Sequence, residues 1–169
     1  MIYTGFVNSV QGPVKIDATE EGITAIRFLN PDETAQYNSL SEAYAQSHSR
    51  ANAILDEACR QLNAYFDGQL QEFDLPLTPK GTVFQNQVWQ ALQQVKHGET
   101  ASYLDIAKAI GNPKAVRAVG MANGRNPIAI VVPCHRIIGS NKTLTGYAGG
   151  LARKQYLLNL EGAQGVLGL

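Results

Sequence analysis

Only two cysteines, Cys59 and Cys134, occur among the 169 residues. Two sulfurs cannot form a disulfide framework, and they are too few for a structural zinc site of the cysteine-rich kind. Nowhere does the chain approach the roughly 20 consecutive apolar residues of a membrane span. The opening Met1-Ile2-Tyr3-Thr4 lacks the basic and apolar regions of a signal peptide. These absences lead us to expect a cytoplasmic protein with free thiols and no membrane partner. Repeats and low-complexity stretches are also missing. What is present is a 44% hydrophobic composition, enough to bury a core without staples.

Net charge is zero, yet the two halves differ sharply. Residues 1–79 hold 4 of the 14 Lys and Arg and 11 of the 14 Asp and Glu, a balance of −7; residues 80–169 hold the rest, a balance of +7. A split of this size suggests that the second half meets a polyanion and the first does not.

The organisation follows the same division. Ile2 to Val7, Val14 to Asp17 and Ile23 to Phe28 are β-rich segments separated by turn residues, and read as an antiparallel meander. From Ala51 the spacing becomes helical, with Ile54, Leu55, Ala58, Leu62, Tyr65 and Phe66 on one stripe and Gly68 as the stop. Leu75-Pro76-Leu77-Thr78-Pro79-Lys80-Gly81 resembles a linker, which sets the expected domains at 1–79 and 80–169. Beyond it, Thr82 and Gln85 form a capping-box pattern ahead of an apolar face of Phe84, Val88, Ala91, Leu92 and Val95, with His97-Gly98 as the end of the helix. Ser102 is placed to cap a short helix ending at Gly111, and Asn112-Pro113 to start another running to about Asn123. Two short helices joined at a glycine read as a helix-turn-helix. A last amphipathic helix spans Leu151 to Leu160 and stops at Glu161-Gly162.

The chemistry concentrates in Pro133-Cys134-His135-Arg136, at the end of the apolar run Ile128 to Val132. A thiol beside a histidine and an arginine has surroundings that lower its pKa and make it a nucleophile. His135 can take its proton directly or through a water, and Glu161 is a plausible partner to orient the imidazole. The alternative is a small core cysteine, which is the reading that suits Cys59 on the apolar stripe of its helix. The Gly-rich loop Gly146-Tyr147-Ala148-Gly149-Gly150 lets backbone approach a ligand and offers amide donors.

Pro133-Cys134-His135-Arg136-Ile137-Ile138, the glycine loop, Arg125-Asn126-Pro127 and the segment Gly111 to Gly120 together resemble the O6-alkylguanine-DNA alkyltransferase family, the methylated-DNA–protein-cysteine methyltransferases. The resemblance covers about residues 82 to 162. It implies a mixed α/β (α+β) fold, with a small N-terminal ribonuclease-H-like sheet-and-helix domain ahead of a mostly helical domain that holds the helix-turn-helix. It further implies repair of O6-alkylguanine, and of O4-alkylthymine, by direct, irreversible and stoichiometric transfer of the alkyl group to Cys134 after base flipping. His135 would be the base through water, Glu161 its orienting carboxylate, Tyr103 the donor to guanine N3, and Asn126 the support of the active-site backbone. Val132, Pro133, Ile137, Thr145, Tyr147, Ala148 and Gly149 would line the substrate pocket. Arg117 would fill the gap left by the everted base. Ala115 and Ala118 would allow close approach to the minor groove, and Lys114 and Arg125 would meet phosphates. No cofactor or metal is implied, and no cysteine or histidine cluster in the first half suits the zinc of some relatives. The partner would be double-stranded DNA carrying O6-alkylguanine, bound by a chain expected to be monomeric in solution, with cooperative assembly on DNA left open.

Ala148 stands where the family often has a hydroxyl residue, which leaves only a backbone amide there. Three rival readings remain: a lesion binder without an acceptor thiol, a Cys-His hydrolase, and a sequence-reading helix-turn-helix regulator. The presence of Cys134 opposes the first. The adjacency of Cys134 and His135 opposes the second, since hydrolase pairs usually meet only in space. The third is opposed by alanines on the presumed recognition helix.

Overall fold

The computed structural model describes residues 1–47 and 52–169, and the chain divides into two compact units, Met1–Pro79 and Lys80–Leu169. No helix among the described residues is long and apolar enough to cross a membrane.

In the first unit, β1 (Tyr3–Ser9), β2 (Gly12–Ala18) and β3 (Ile23–Phe28) form an antiparallel sheet in the order β1-β2-β3. A tight turn closes the first hairpin, with Ser9 opposite Gly12 and Gly12 at φ 106°. Alternate residues Val14, Ile16 and Ala18 on β2, with Tyr3 and Val7 on β1, are buried, as the two-residue period of a strand requires. Helix α3 (Ala53–Phe66) packs on β1 and β2 through Ala58, Leu62 and Tyr65. It starts at Ala53 because the Asn52 side chain accepts from the Leu55 amide as its cap. The expected stripe residue Ala51 lies outside the described residues. Gly68 follows the helix at φ 76°, a conformation that ends helices readily only at glycine.

Two helices were not anticipated, α1 (Pro31–Ala35) and α2 (Tyr37–Ser47). The first carries a signal in Asn30-Pro31-Asp32-Glu33: Asn30 Oδ1 accepts from the Glu33 amide and Glu33 Oε1 accepts from the Asn30 amide. The presumed linker is also more ordered than its composition suggests. The Ile23 amide donates to Pro76 O at 2.8 Å and the Thr78 amide to Ile23 O at 2.9 Å, so this stretch runs along β3 in a parallel bridge.

The second unit is mostly helical. Helix α4 (Val83–Leu92) has the expected reciprocal cap between Thr82 and Gln85, and buries Val88, Trp89 and Leu92. It stops at Leu92, short of the expected His97-Gly98, and turn residues carry the chain on to Gly98 at φ 85°. Strand β4 (Ala101–Ser102) leads directly into α5 (Tyr103–Ala109), where Ser102 caps through Asp105, and α6 (Val116–Gly124) follows. The start of α6 corrects the sequence reading. Asn112 is not its cap; the Asn112 carbonyl instead accepts from the Ala115 amide in a turn, and helical bonding begins with the Val119 amide donating to Ala115 O. Pro113 has no amide hydrogen and sits in that turn ahead of the helix. The α4 and α6 helices are joined by Trp89 Nε1, which donates to Ala122 O at 2.9 Å in the interior. A single 3-10 turn, Cys134–Arg136, runs into β5 (Ile137–Ile138), and α7 (Leu151–Leu160) closes the unit with Leu157 and Leu158 buried. Leu158 shares a small cluster with Ile138 and Val166.

The caps give a direct test. Ser102→Ala is expected to destabilise the second unit by about 1 kcal/mol, the usual worth of an N-cap, whereas Asn112→Ala should stay within about 0.5 kcal/mol because no helix end depends on it. Urea unfolding followed by the fluorescence of Trp89, the single tryptophan, reads both values.

Candidate active site

The two-residue strands β4 and β5 are short, but they place the chemistry. They pair in parallel, Ala101 with Ile137 and Ser102 with Ile138. Because Tyr103 follows β4 and Cys134 opens the turn that precedes β5, this pairing draws the first residue of α5 toward the segment that carries the thiol.

That segment is not extended. The apolar run Ile128 to Val132 folds into consecutive turns, with the Val132 amide donating to Ile128 O at 3.0 Å and the Cys134 amide to Val132 O at 2.8 Å. Ile130 sits at φ 73°, a left-handed conformation that costs a β-branched residue about 1–3 kcal/mol and persists only where surroundings enforce it. Asn126 is part of that enforcement. Its Nδ2 donates to Val132 O at 2.8 Å and its Oδ1 accepts from the Ile128 amide at 3.0 Å, which ties both ends of the turn to one side chain. Asn123, absent from the sequence reading, reaches Cys134 O from α6 at 3.5 Å.

Cys134, His135 and Glu161 are all buried. His135 Nε2 lies 2.8 Å from Glu161 Oε2. A carboxylate only accepts, so Nε2 carries the hydrogen and Nδ1 keeps its lone pair. That Nδ1 is buried and has no hydrogen-bonding partner among the described residues. Glu161 also receives Arg136, whose Nε donates to Oε1 at 2.8 Å and whose Nη2 donates to Oε2 at 3.0 Å, while Arg136 Nη1 donates to Val95 O at 2.6 Å. Burial alone would raise the Glu161 carboxyl, but His135 and Arg136 outweigh it and hold it well below the usual carboxylate range. Burial lowers His135 against the opposing pull of Glu161, so the imidazole is neutral at rest.

The thiol departs from the sequence expectation. Burial pushes Cys134 above its ordinary value; the Asn126 amide, the Lys154 charge and nearby main-chain amides pull it back only in part. Arg136, read from sequence as an activating charge, is occupied by Glu161 and Val95. The resting sulfur is a neutral thiol, and a thiolate has to be made by proton transfer. Cys59 fits its inert reading: it is half-buried, and burial first and Asp56 second raise its thiol.

Lys154 is the residue that sequence reasoning missed most completely. It lies in the first turn of α7 with no exposed surface, and donates to Ile137 O, to Thr145 O at 3.2 Å and to Thr145 Oγ1 at 3.2 Å. Burial lowers its ammonium to about 8, and ionisation of Cys134 would favour the cation. Only the interruption of the apolar pattern between Leu151 and Leu157 could have hinted at it. Tyr103 Oη lies 2.7 Å from Thr145 Oγ1, so Tyr103, Thr145 and Lys154 form one group.

The remaining candidates fall into two sets. Val132, Pro133 and Ile137 are buried and flank Cys134 along the chain. In the loop, Ala148 is exposed, Gly149 and Tyr147 are half-buried, and the Tyr147 hydroxyl is buried with no hydrogen-bonding partner among the described residues. Gly149 faces the Tyr147 ring so closely that an added Cβ would lie 2.8 Å from Cε2, so the ring position requires glycine there. Lys114, Arg117, Ala118 and Arg125 are exposed around α6, with Ala115 half-buried beside them, and opposite them Val119, Ala122 and Asn123 point inward. The basic excess survives this accounting. Arg136, Lys154 and Glu161 are internal, so eight of the ten basic residues of 80–169 face two acidic ones. Among the described residues, no group of three or more His, Cys, Asp or Glu is placed to hold a metal ion.

Comparison with known proteins covers both units. Residues 2–79 match the family model for the ribonuclease-like domain of 6-O-methylguanine DNA methyltransferase, and residues 83–163 match that for its DNA-binding domain. The chain is 47% identical over 162 residues to a methylated-DNA–protein-cysteine methyltransferase of Methanosarcina acetivorans, covering 96% of this chain and 99% of that protein. It is similar to the crystal structure of Mycobacterium tuberculosis O6-methylguanine methyltransferase, with a TM-score of 0.78, 42% identity, and 96% and 93% of the two chains covered. It is also similar to Mycobacterium tuberculosis OGT in complex with DNA, with a TM-score of 0.78, 44% identity, and 93% and 91% covered.

The buried carboxylate is the electrostatic centre of the site, and its removal has a defined signature. Glu161→Gln leaves Arg136 without its counter-charge and is expected to cost about 3–5 kcal/mol. A depressed carboxyl contributes stability that is present above its ordinary value of 4.5 and is lost as pH falls. The wild-type thermal midpoint should therefore drop below about pH 4.5 more steeply than that of Glu161→Gln. Thermal unfolding between pH 7 and 3 measures both effects, and parallel pH profiles would contradict the assignment.

Proposed function

The chain belongs to the 6-O-methylguanine DNA methyltransferase family, DNA-binding cysteine methyltransferases that repair alkylated DNA, and we propose that it moves the alkyl group of an everted O6-alkylguanine irreversibly onto Cys134. The observation that carries this reading is the adjacency of a buried thiol to a neutral histidine whose other nitrogen is bonded to a buried carboxylate. O4-alkylthymine, which presents a similar alkoxy carbon, is a second substrate on the same chemistry.

The steps balance as follows. The Cys134 proton passes to His135 Nδ1, directly or through one water, and the new imidazolium is stabilised by Glu161 at Nε2. The thiolate attacks the alkyl carbon; the carbon–sulfur bond forms, the carbon–O6 bond breaks, and the electron pair passes into the purine. Tyr103 gives its proton to N3, so the base leaves neutral, and the proton held on His135 passes through solvent to the tyrosinate, which restores both side chains. A thioether has no easy leaving path, so one molecule repairs one lesion. Asn126 keeps the sulfur in place through the turn it brackets, and the Ala148 amide is available to O6. The loop residues Thr145, Tyr147 and Gly149 lie over the base, with Val132, Pro133 and Ile137 behind the sulfur.

Eversion falls to α6. Arg117 enters the minor groove and takes the space of the departed base, at a cost of a few kcal/mol in lost stacking; Ala115 and Ala118 permit that approach, and Lys114 and Arg125 bind phosphates. In this division of labour residues 80–169 carry binding and transfer, and residues 1–79, acidic and without a candidate site residue, support them. The protein acts as a monomer that meets double-stranded DNA.

Incubation with an excess of duplex containing O6-methylguanine is expected to add one methyl mass to the peptide bearing Cys134, none to that bearing Cys59, and to consume one equivalent. Peptide mass spectrometry reads this, and continuous turnover would refute the stoichiometric scheme. Arg117→Ala should slow repair of the duplex at least about tenfold more than reaction with free O6-methylguanine, since only the duplex requires eversion. Equal slowing on both would count against the finger role.

A further inference from the structure

Among the described residues, Lys154 is a buried cation with no carboxylate bonded to it. Its three donors go to two carbonyls and one hydroxyl, Ile137 O, Thr145 O and Thr145 Oγ1. Buried lysine is rare and is usually paired with an acid, so this placement asks what the charge does there. Its effect on the neighbouring hydroxyls is specific. Tyr103 Oη and Thr145 Oγ1 are 2.7 Å apart, a separation at which either can donate to the other. An ammonium only donates, so Thr145 Oγ1 accepts from Lys154 and still has one hydrogen to give. Tyr103 Oη is the acceptor that this hydrogen reaches among the described residues. With Thr145 donating, the phenol hydrogen is released from the pair and free to donate elsewhere. Polarisation along the chain acts in the same direction, because a hydroxyl that accepts from a cation becomes a better donor and a poorer acceptor.

We propose that Lys154, acting through Thr145, fixes the donor direction of Tyr103, so that its hydroxyl hydrogen is held for the ring nitrogen N3 of the everted base. The inference rests on the reading of Tyr103 as the N3 donor. It makes Lys154 and Thr145 positioning residues, since neither touches the base nitrogen. The three side chains come from separate elements, the start of α5, the loop before Gly146 and the first turn of α7, so the direction is built by the fold rather than by Tyr103 itself.

The test compares single-turnover methyl transfer from duplexes holding O6-methylguanine or O6-methyl-3-deazaguanine, in which a C–H replaces N3. Thr145→Val keeps the shape and removes the hydroxyl. It is expected to lower the ratio of the two rates on the order of tenfold, a part of the contribution of a positioned proton donor, and Thr145→Ser should restore the ratio. Lys154→Met, which removes the donor on the other side of Thr145, should lower the same ratio, so a poorly folded valine variant does not leave the question open. A residue that merely holds the loop would slow both substrates alike and leave the ratio unchanged, and that result with either variant overturns the inference. Tyr103→Phe separates the two levels. If it lowers the ratio while Thr145→Val and Lys154→Met do not, only the positioning role fails; if it leaves the ratio unchanged, the N3-donor reading fails as well.

Discussion

The buried Glu161 carboxylate is the constraint on which the second unit depends. It stands at the C-terminal end of α7 and gathers His135 and Arg136 from the 3-10 turn. Through Arg136 it also reaches the carbonyl of Val95 behind α4. Three segments distant in sequence are therefore tied together through one carboxylate and one guanidinium. Neither charge could be left alone there, since an unpaired buried ion costs several kcal/mol. The same contacts that hold the turn together fix the imidazole tautomer, so structural and chemical demands fall on one group.

Around this centre, desolvation rather than positive charge sets the resting state. Burial keeps the Cys134 thiol protonated, the His135 ring neutral and the Tyr147 phenol well above its ordinary range. The resting site thus holds a neutral thiol and a neutral imidazole, the latter bonded to the Glu161 carboxylate. Lys154 adds a buried cation bonded to carbonyl and hydroxyl oxygens, and the turn at Ile130 that Asn126 brackets runs into Cys134.

Local signals account for what was legible in the sequence. Reciprocal caps at Thr82 and Ser102, the alternation along the three strands and the glycine stops at Gly68 and Gly111 each depend on residues a few positions apart, and the chain forms those elements. The pairing of His135 with Glu161 was legible beside the reactive tetrapeptide, with the geometry supplying the distance. What escaped was decided by distant contacts. Nothing in Ala101-Ser102 or Ile137-Ile138 announces a parallel pair of two residues. Asn112-Pro113 carries a helix-start pattern that a turn uses instead. A lysine in the first turn of a helix reads as solvated until the oxygens of Ile137 and Thr145 are seen around it. Arg136 looked like an activator of the thiol because adjacency along the chain is visible in sequence, whereas its engagement by Glu161 and Val95 is not.

The protonated, enclosed state of Cys134 also bears on what else the sulfur meets. Peroxides, disulfides and soft metal ions react with thiolates and with accessible sulfur, and the resting Cys134 offers neither. If each molecule works a single time, as proposed, that reticence would amount to selectivity by timing: an acceptor kept from casual encounters would be spent only on the lesion that completes its pocket.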